Sequence, residues 1–167
     1  MVNSIKDFED LKELIDKGYS HFEGMLQKGR LDKDIDSIKK QFGLYFTLYG
    51  GAKEINNIDS KNDGLHNAEM LSAIRARCSC HFKMYATFIF INDALKIVFP
   101  CIVKNMLFKN IRNSLAHNKI EESNSDIKFL DGKKTDHELT YIQLSDLCNF
   151  IQKLCFKVFE KLEGIRI

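Results

Sequence analysis

Apolar side chains recur at steps of three and four along nearly the whole chain, and only one proline, Pro100, interrupts it. That spacing lines them up on one stripe of a helix, whereas a half-buried strand would alternate. Phe8, Leu11, Leu14, Ile15, Tyr19, Phe22, Met25 and Leu26 predict a helix over 5–28, with Ser4 as N-cap, Asp7 three residues on, and Gly29 closing it. Ile35, Ile38, Phe42, Tyr45, Phe46 and Tyr49 predict a second over 31–49, ended by Gly50-Gly51. The polar stretch 55–64 reads as a loop. A third helix is expected over 65–98; its second half is apolar on most faces, which places it centrally. Proline cannot continue a helix without a kink, so the chain is expected to break at Phe99 and restart as a fourth helix over 101–117. Segment 118–139 is turn-rich, and Asp131-Gly132 between short apolar patches is a hairpin signal. Thr140 and Gln143 then form a capping box for a last helix over 141–163, whose apolar face runs from Ile142 to Leu162, with Gly164 at its end. The expected fold is all-α: one domain over 1–167, an antiparallel bundle of four to five helices, with room for a small β-hairpin before the last helix.

Charge and cysteine content narrow the setting. The net charge of +2 is mildly basic and does not by itself argue for nucleic-acid binding. The first twenty residues carry charges throughout and have no apolar signal core. The most apolar stretch, 84–106, is interrupted by Asp93, Lys96, Pro100 and Lys104, which is too broken for a membrane span. The five cysteines, Cys78, Cys80, Cys101, Cys148 and Cys155, are an odd number without an export signal, so a reduced, cytoplasmic protein is expected. Cys78, Cys80 and His81 lack a second ligand pair at zinc-site spacing, which favours packed thiols and no metal.

One short motif carries chemistry. Arg112-Asn113-Ser114-Leu115-Ala116-His117 lies near the end of the fourth expected helix. It resembles the R-x(4–6)-H signature of the HEPN superfamily (higher eukaryotes and prokaryotes nucleotide-binding domain), whose commoner form has a polar residue after the arginine and a small or apolar one before the histidine. The turn-rich stretch with Asp131-Gly132-Lys133 and the final amphipathic helix are similar to the tails of small prokaryotic HEPN proteins. The specific resemblance covers roughly 99–162; the N-terminal helices match in type and spacing only. It implies a metal-independent endoribonuclease of toxin–antitoxin or anti-phage type, with no cofactor. RNA would be the substrate, a second copy of the chain the partner that completes the cleft, and a protein antitoxin a further partner. A non-catalytic HEPN module that binds RNA or nucleotide, or scaffolds a partner, is the alternative. Some HEPN toxins carry a tyrosine two residues after the histidine, which a nucleotidyltransferase antitoxin modifies; Lys119 occupies that place here, which argues against that mode of neutralisation.

The residue types suit RNA cleavage. RNA brings its own nucleophile, the 2′-hydroxyl. The reaction needs a group that titrates near neutrality, which His117 supplies, and a permanent cation for charge on phosphorus, which Arg112 supplies. Residues five apart are about 140° out of phase on a regular helix, so the pair cannot share one face. Either His117 lies where the helix ends, or two copies meet across a two-fold interface. From Lys104 to Lys119 the charged residues are Lys104, Lys109, Arg112 and Lys119, with no acid among them. Lys109, Asn113, Asn118 and Lys119 are therefore the expected substrate-binding residues; the plainer reading is a solvated basic face. His21, His66 and His137 sit in polar settings and are expected at the surface, while Arg75, Arg77 and His81 are weaker candidates for a phosphate contact or the cleft.

Overall fold

The structure, a computed structural model, describes residues 4–57, 68–133 and 135–164, without the side chains of 52–57 and 68–75. The chain is mainly helical, with a small antiparallel sheet. In order it forms α1 (Ser4–Asp16), α2 (Gly18–Gln27), α3 (Ile35–Asn57), α4 (Ala68–Met84), a π-helical segment (Tyr85–Phe90), α5 (Asn92–Val98), α6 (Pro100–Lys104), α7 (Met106–Ala116), β1 (Ile120–Glu122), β2 (Asp126–Phe129), β3 (His137–Thr140) and α8 (Tyr141–Glu163).

The stripes do pack inward, but the helix boundaries differ from expectation. The helix expected over 5–28 is interrupted at Lys17, although Lys17 N still bonds Glu13 O at 3.1 Å and His21 N bonds Lys17 O at 3.2 Å. The interruption sits beside Gly18, where an added Cβ would lie 2.7 Å from Leu154 Cδ2; the glycine lets α2 approach α8 closely. Gly29 closes α2 in the left-handed conformation, φ 70°, with Arg30 N bonded to Met25 O and Gly29 N to Leu26 O.

The second helix begins at Ile35 and runs through Gly50-Gly51 to Asn57, so the expected stop does not occur. Each glycine costs roughly 1 kcal/mol of helix propensity. Burial of Phe42, Tyr45 and Tyr49 on the same helix outweighs that. The loop expected over 55–64 is thus helical to Asn57, and its remainder lies outside the described residues. The third helix, described from Ala68, ends in a π-helical segment before α5 in place of continuing regularly to 98. The fourth is also divided: Pro100 is the first residue of α6, where its missing N–H costs nothing, and Asn105 restarts the chain as α7. Asn105 has extended backbone (φ −60°, ψ 140°), and its Oδ1 accepts from Leu107 N at 2.9 Å and Phe108 N at 3.1 Å.

Between α7 and α8 the described residues form three strands in the order β1-β2-β3, one more than the expected hairpin, so the chain is not purely α. Ile120 faces Phe129 across β1 and β2, while Ile127 faces Leu139 and Phe129 faces His137 across β2 and β3. The capping box forms as read: Thr140 Oγ1 accepts from Gln143 N at 3.0 Å, and Gln143 Oε1 accepts from Thr140 N at 2.9 Å. On α8, Leu144, Leu147, Cys148, Ile151, Leu154, Cys155, Val158 and Leu162 are buried, but Ile142, expected on that face, is 75% exposed. The long helix packs against α1, α2, α3 and α4, and α1 also meets α7 and β3. No described helix is long and apolar enough to cross a membrane.

Candidate active site

The site is built on α7. Its buried stripe is apolar except for two polar residues one turn apart, Asn110 and Ser114. Both are buried, and each is bonded. Asn110 Nδ2 donates to Phe129 O at 3.2 Å and Thr135 O at 3.3 Å and meets His137 Nδ1 at 2.6 Å; Asn110 Oδ1 accepts from Ser114 Oγ at 2.9 Å. Ser114 Oγ in turn accepts from Asp131 N at 3.0 Å. His137 was expected at the surface. It is instead 1% exposed, because β3 points it inward on the same face as Leu139, and its Nε2 bonds Asp7 Oδ2 of α1 at 2.7 Å. Ser4 lies within α1 and its hydroxyl accepts from Glu138 N, so Ser4 and Asp7 in the first turn of α1 both hold β3.

His117 caps the C-terminus of α7, so the helix does end at the motif. The exit is a Schellman turn: Lys119 N bonds Ser114 O at 2.8 Å, Asn118 N bonds Leu115 O at 3.4 Å, and Asn118 has φ 53°. Asparagine tolerates that left-handed geometry better than most residues, which gives Asn118 a backbone reason to be there. Leu130 N then bonds Lys119 O at 3.0 Å and brings the end of β2 alongside the end of α7. As a result Asp131 stands between His117 and Lys119, with His117 Nδ1 2.5 Å from Oδ2 and Lys119 Nζ 3.1 Å from Oδ1. The hydrogen bond with His117, and secondly that with Lys119, holds the Asp131 carboxyl below its ordinary value. An ionised carboxylate only accepts, so the proton in this bond belongs to His117 Nδ1, and Nε2 is the nitrogen available to a ligand. The His117 side chain is 62% exposed.

Arg112 is half-buried, and Asn113 is its clamp: Oδ1 accepts from Arg112 Nε at 3.1 Å and Nη2 at 2.7 Å. Among the described residues no other hydrogen bond or ion pair holds the remaining guanidinium N–H groups, which can fork onto an oxyanion. Lys109, three residues earlier, lines the same cavity as Arg112. The expected site residues therefore fall into two groups, Lys109, Arg112 and Asn113 on one side and His117, Lys119 and Asp131 on the other. No hydrogen bond or ion pair among the described residues joins them within one chain. In the sequence Asp131 carries only a turn signal. Its neighbour Gly132 is needed for space: a Cβ there would come within 2.2 Å of Thr135 O and 3.0 Å of Asn110 Nδ2. Asp131-Gly132 thus opens the longer connection from β2 to β3 and does not form a two-residue hairpin turn.

Comparison with protein-family models, with curated proteins and with solved structures found no match. What the site can do therefore follows from its own chemistry. His117 is an imidazole oriented by a carboxylate, a group able to transfer a proton, and Arg112 is a permanent cation held by Asn113.

The remaining candidates have other partners. His81 Nε2 lies 2.7 Å from Glu122 Oε1, and Tyr141 Oη donates to Glu122 Oε2 at 2.8 Å. Burial and that glutamate push the Tyr141 hydroxyl up to about 12. Arg77 donates to Ser123 O and Asn124 O and lies over the Tyr141 ring, so it holds the β1–β2 turn. Burial raises the thiols of Cys80 to about 11 and Cys148 to about 12, away from reactivity. Among the described residues no three His, Cys, Asp or Glu side chains cluster as a metal site. His21 is exposed, while His66 and the Arg75 side chain lie outside the described residues.

Proposed function

We propose that this chain is a metal-independent endoribonuclease of the HEPN type, serving as a cytoplasmic toxin or phage-defence effector. The observation that carries the reading is the exposed His117 at the C-cap of α7, held through Nδ1 by Asp131, beyond a helix that carries a clamped Arg112. The two groups do not meet within one chain, so a two-fold pair of α7 helices is the arrangement that would unite them, in a helical bundle dimer. In that cleft His117 Nε2 removes the proton from a ribose 2′-hydroxyl, and the 2′-oxygen attacks the adjacent phosphorus. Arg112 binds the non-bridging oxygens as negative charge gathers there. The bond to the 5′-oxygen breaks, and the imidazolium of the second copy protonates that leaving oxygen. The products are a 2′,3′-cyclic phosphate and a 5′-hydroxyl. Asp131 acts as a positioning residue, and a protein antitoxin would restrain activity by covering the cleft. The separation of Arg112 from His117 in one chain favours a second reading, a HEPN module that binds RNA without cutting it.

Cleavage of labelled RNA with analysis of the new ends tests the reading. His117→Ala is expected to lower the rate by roughly 10²–10⁴-fold, the usual loss for a general acid–base group. An RNA methylated at every 2′-oxygen is expected to resist cleavage. If that RNA is cut as fast as the unmodified strand, the nucleophile is water and the mechanism is wrong. If wild type and variant are equally inert on RNA, the binding module replaces the nuclease.

A further inference from the structure

A cavity of about 480 Å³ opens where α5, α6 and α7 meet, lined by Lys96, Pro100, Val103, Lys104, Lys109 and Arg112. Its charged lining is four cations and no carboxylate, although the whole chain carries 25 basic and 23 acidic residues. Among the described residues, none of the three lysines is in an ion pair. Lys96 and Lys104 stand in the last turns of α5 and α6, where a cation is favoured by the helix carbonyls. Lys109 is different. It lies at the end of the first turn of α7, a helix with no acidic residue in that turn, where the positive end of the helix dipole disfavours a cation. Four like charges around one cavity repel each other, and a bound polyanion removes that cost. Pro100 and Val103 add an apolar wall suited to a sugar ring, and the volume falls in the range of ligand sites, about 300–1,000 Å³.

We infer that this cavity holds the sugar–phosphate backbone of a single RNA strand beside the bond that is cut, with Arg112 shared between cavity and reaction. The assignment rests on the ribonuclease reading for the role of Arg112, while the binding it describes needs no cleavage. Lys96, found by the fold and not by the motif, becomes a substrate contact together with Lys104 and Lys109.

The test is fluorescence anisotropy with a short labelled RNA, fully 2′-O-methylated so that it stays intact, titrated across a range of salt. Lys96→Gln, Lys104→Gln and Lys109→Gln are made singly and together, with Lys33→Gln as a control, and unchanged thermal melting verifies the fold. Each phosphate contact contributes about 0.7 to the slope of log affinity against log salt for a single strand, so losing three lowers the slope by about 2. Across a fourfold rise in salt, from about 50 to 200 mM, the triple variant is then expected to lose about 16-fold less affinity than wild type. The single variants fall between, and Lys33→Gln matches wild type. An unchanged slope in a folded triple variant overturns the inference. Displacement of the RNA by excess free nucleoside monophosphate from wild type, but not from the triple variant, would assign the cavity to a mononucleotide and overturn the strand assignment. The outcomes separate from those of the nuclease test. A reduced slope with no cleavage of any RNA leaves the cavity standing without the nuclease, and normal cleavage with an unchanged slope does the reverse.

Discussion

Asn110→Ala is the most exacting perturbation of this architecture. Asn110 is 2% exposed and binds four partners: the carbonyls of Phe129 and Thr135, the His137 ring and the Ser114 hydroxyl. Each hydrogen bond contributes about 1 kcal/mol net, and a buried partner left unsatisfied costs about 1–3 kcal/mol. Asp131 N still bonds Ser114 Oγ and Asp7 still bonds His137 Nε2. The Ser114 hydroxyl proton, His137 Nδ1 and the two carbonyls, which share the two amide hydrogens with that ring nitrogen, lose this partner. The expected cost is about 3–5 kcal/mol, a large part of the roughly 5–15 kcal/mol that a domain has in hand. For a chain of this size that corresponds to a melting temperature lower by about 10 °C, at about 2–4 °C per kcal/mol. Urea denaturation followed by circular dichroism measures the free energy, and a double-mutant cycle with Ser114→Ala is expected to return a coupling of about 1 kcal/mol between the two side chains. A variant within 1 kcal/mol of wild type would mean that water satisfies these groups in solution, and the network linking α1, α7 and the sheet would have to be abandoned.

Three other outcomes are expected. Asp131→Asn removes a carboxylate whose folded pKa is depressed by His117 and Lys119; such a group stabilises the fold above its unfolded value and loses that effect as pH falls through the folded one, so wild type and variant should converge in acid. Urea titrations at a series of pH values check this, and a gap that widens toward low pH would contradict the sign. Gly132→Ala forces a methyl toward Thr135 O and is expected to cost about 1–3 kcal/mol by the same denaturation assay; a neutral effect would place the loop elsewhere. Arg112→Lys keeps the charge but cannot bond Asn113 and an oxyanion with one planar fork, so in RNA cleavage it is expected to resemble Arg112→Ala more than wild type.

Much of the secondary structure was legible because its signals act within four residues. The stripes of α1, α3, α7 and α8, the Thr140–Gln143 capping box and Gly29 at a left-handed turn each report an interaction between near neighbours. The division at Asn105 also has a local cause, an N-cap residue before an apolar run, although the apolar spacing alone reads through it as one longer helix. Gly50-Gly51 misled for the opposite reason: the local signal was real, but burial of the helix around it prevailed.

The candidate site divides in the same way. The sequence by itself determined that Arg112 and His117 could not share a face of one regular helix, and that this stretch carries no acid. Only the tertiary structure decided that Asp131 would orient His117, that His137 would be buried against Asp7 from 130 residues away, and that Lys96 would join Lys104, Lys109 and Arg112 around one cavity. His137, expected at the surface from its polar neighbours, faces inward beside Leu139 in β3, and nothing in the sequence named Asn110 or Asp7 as its partners. Periodicity reports which face of an element is apolar; which polar groups meet across that face depends on how the elements pack, and that is set by the burial of the whole core.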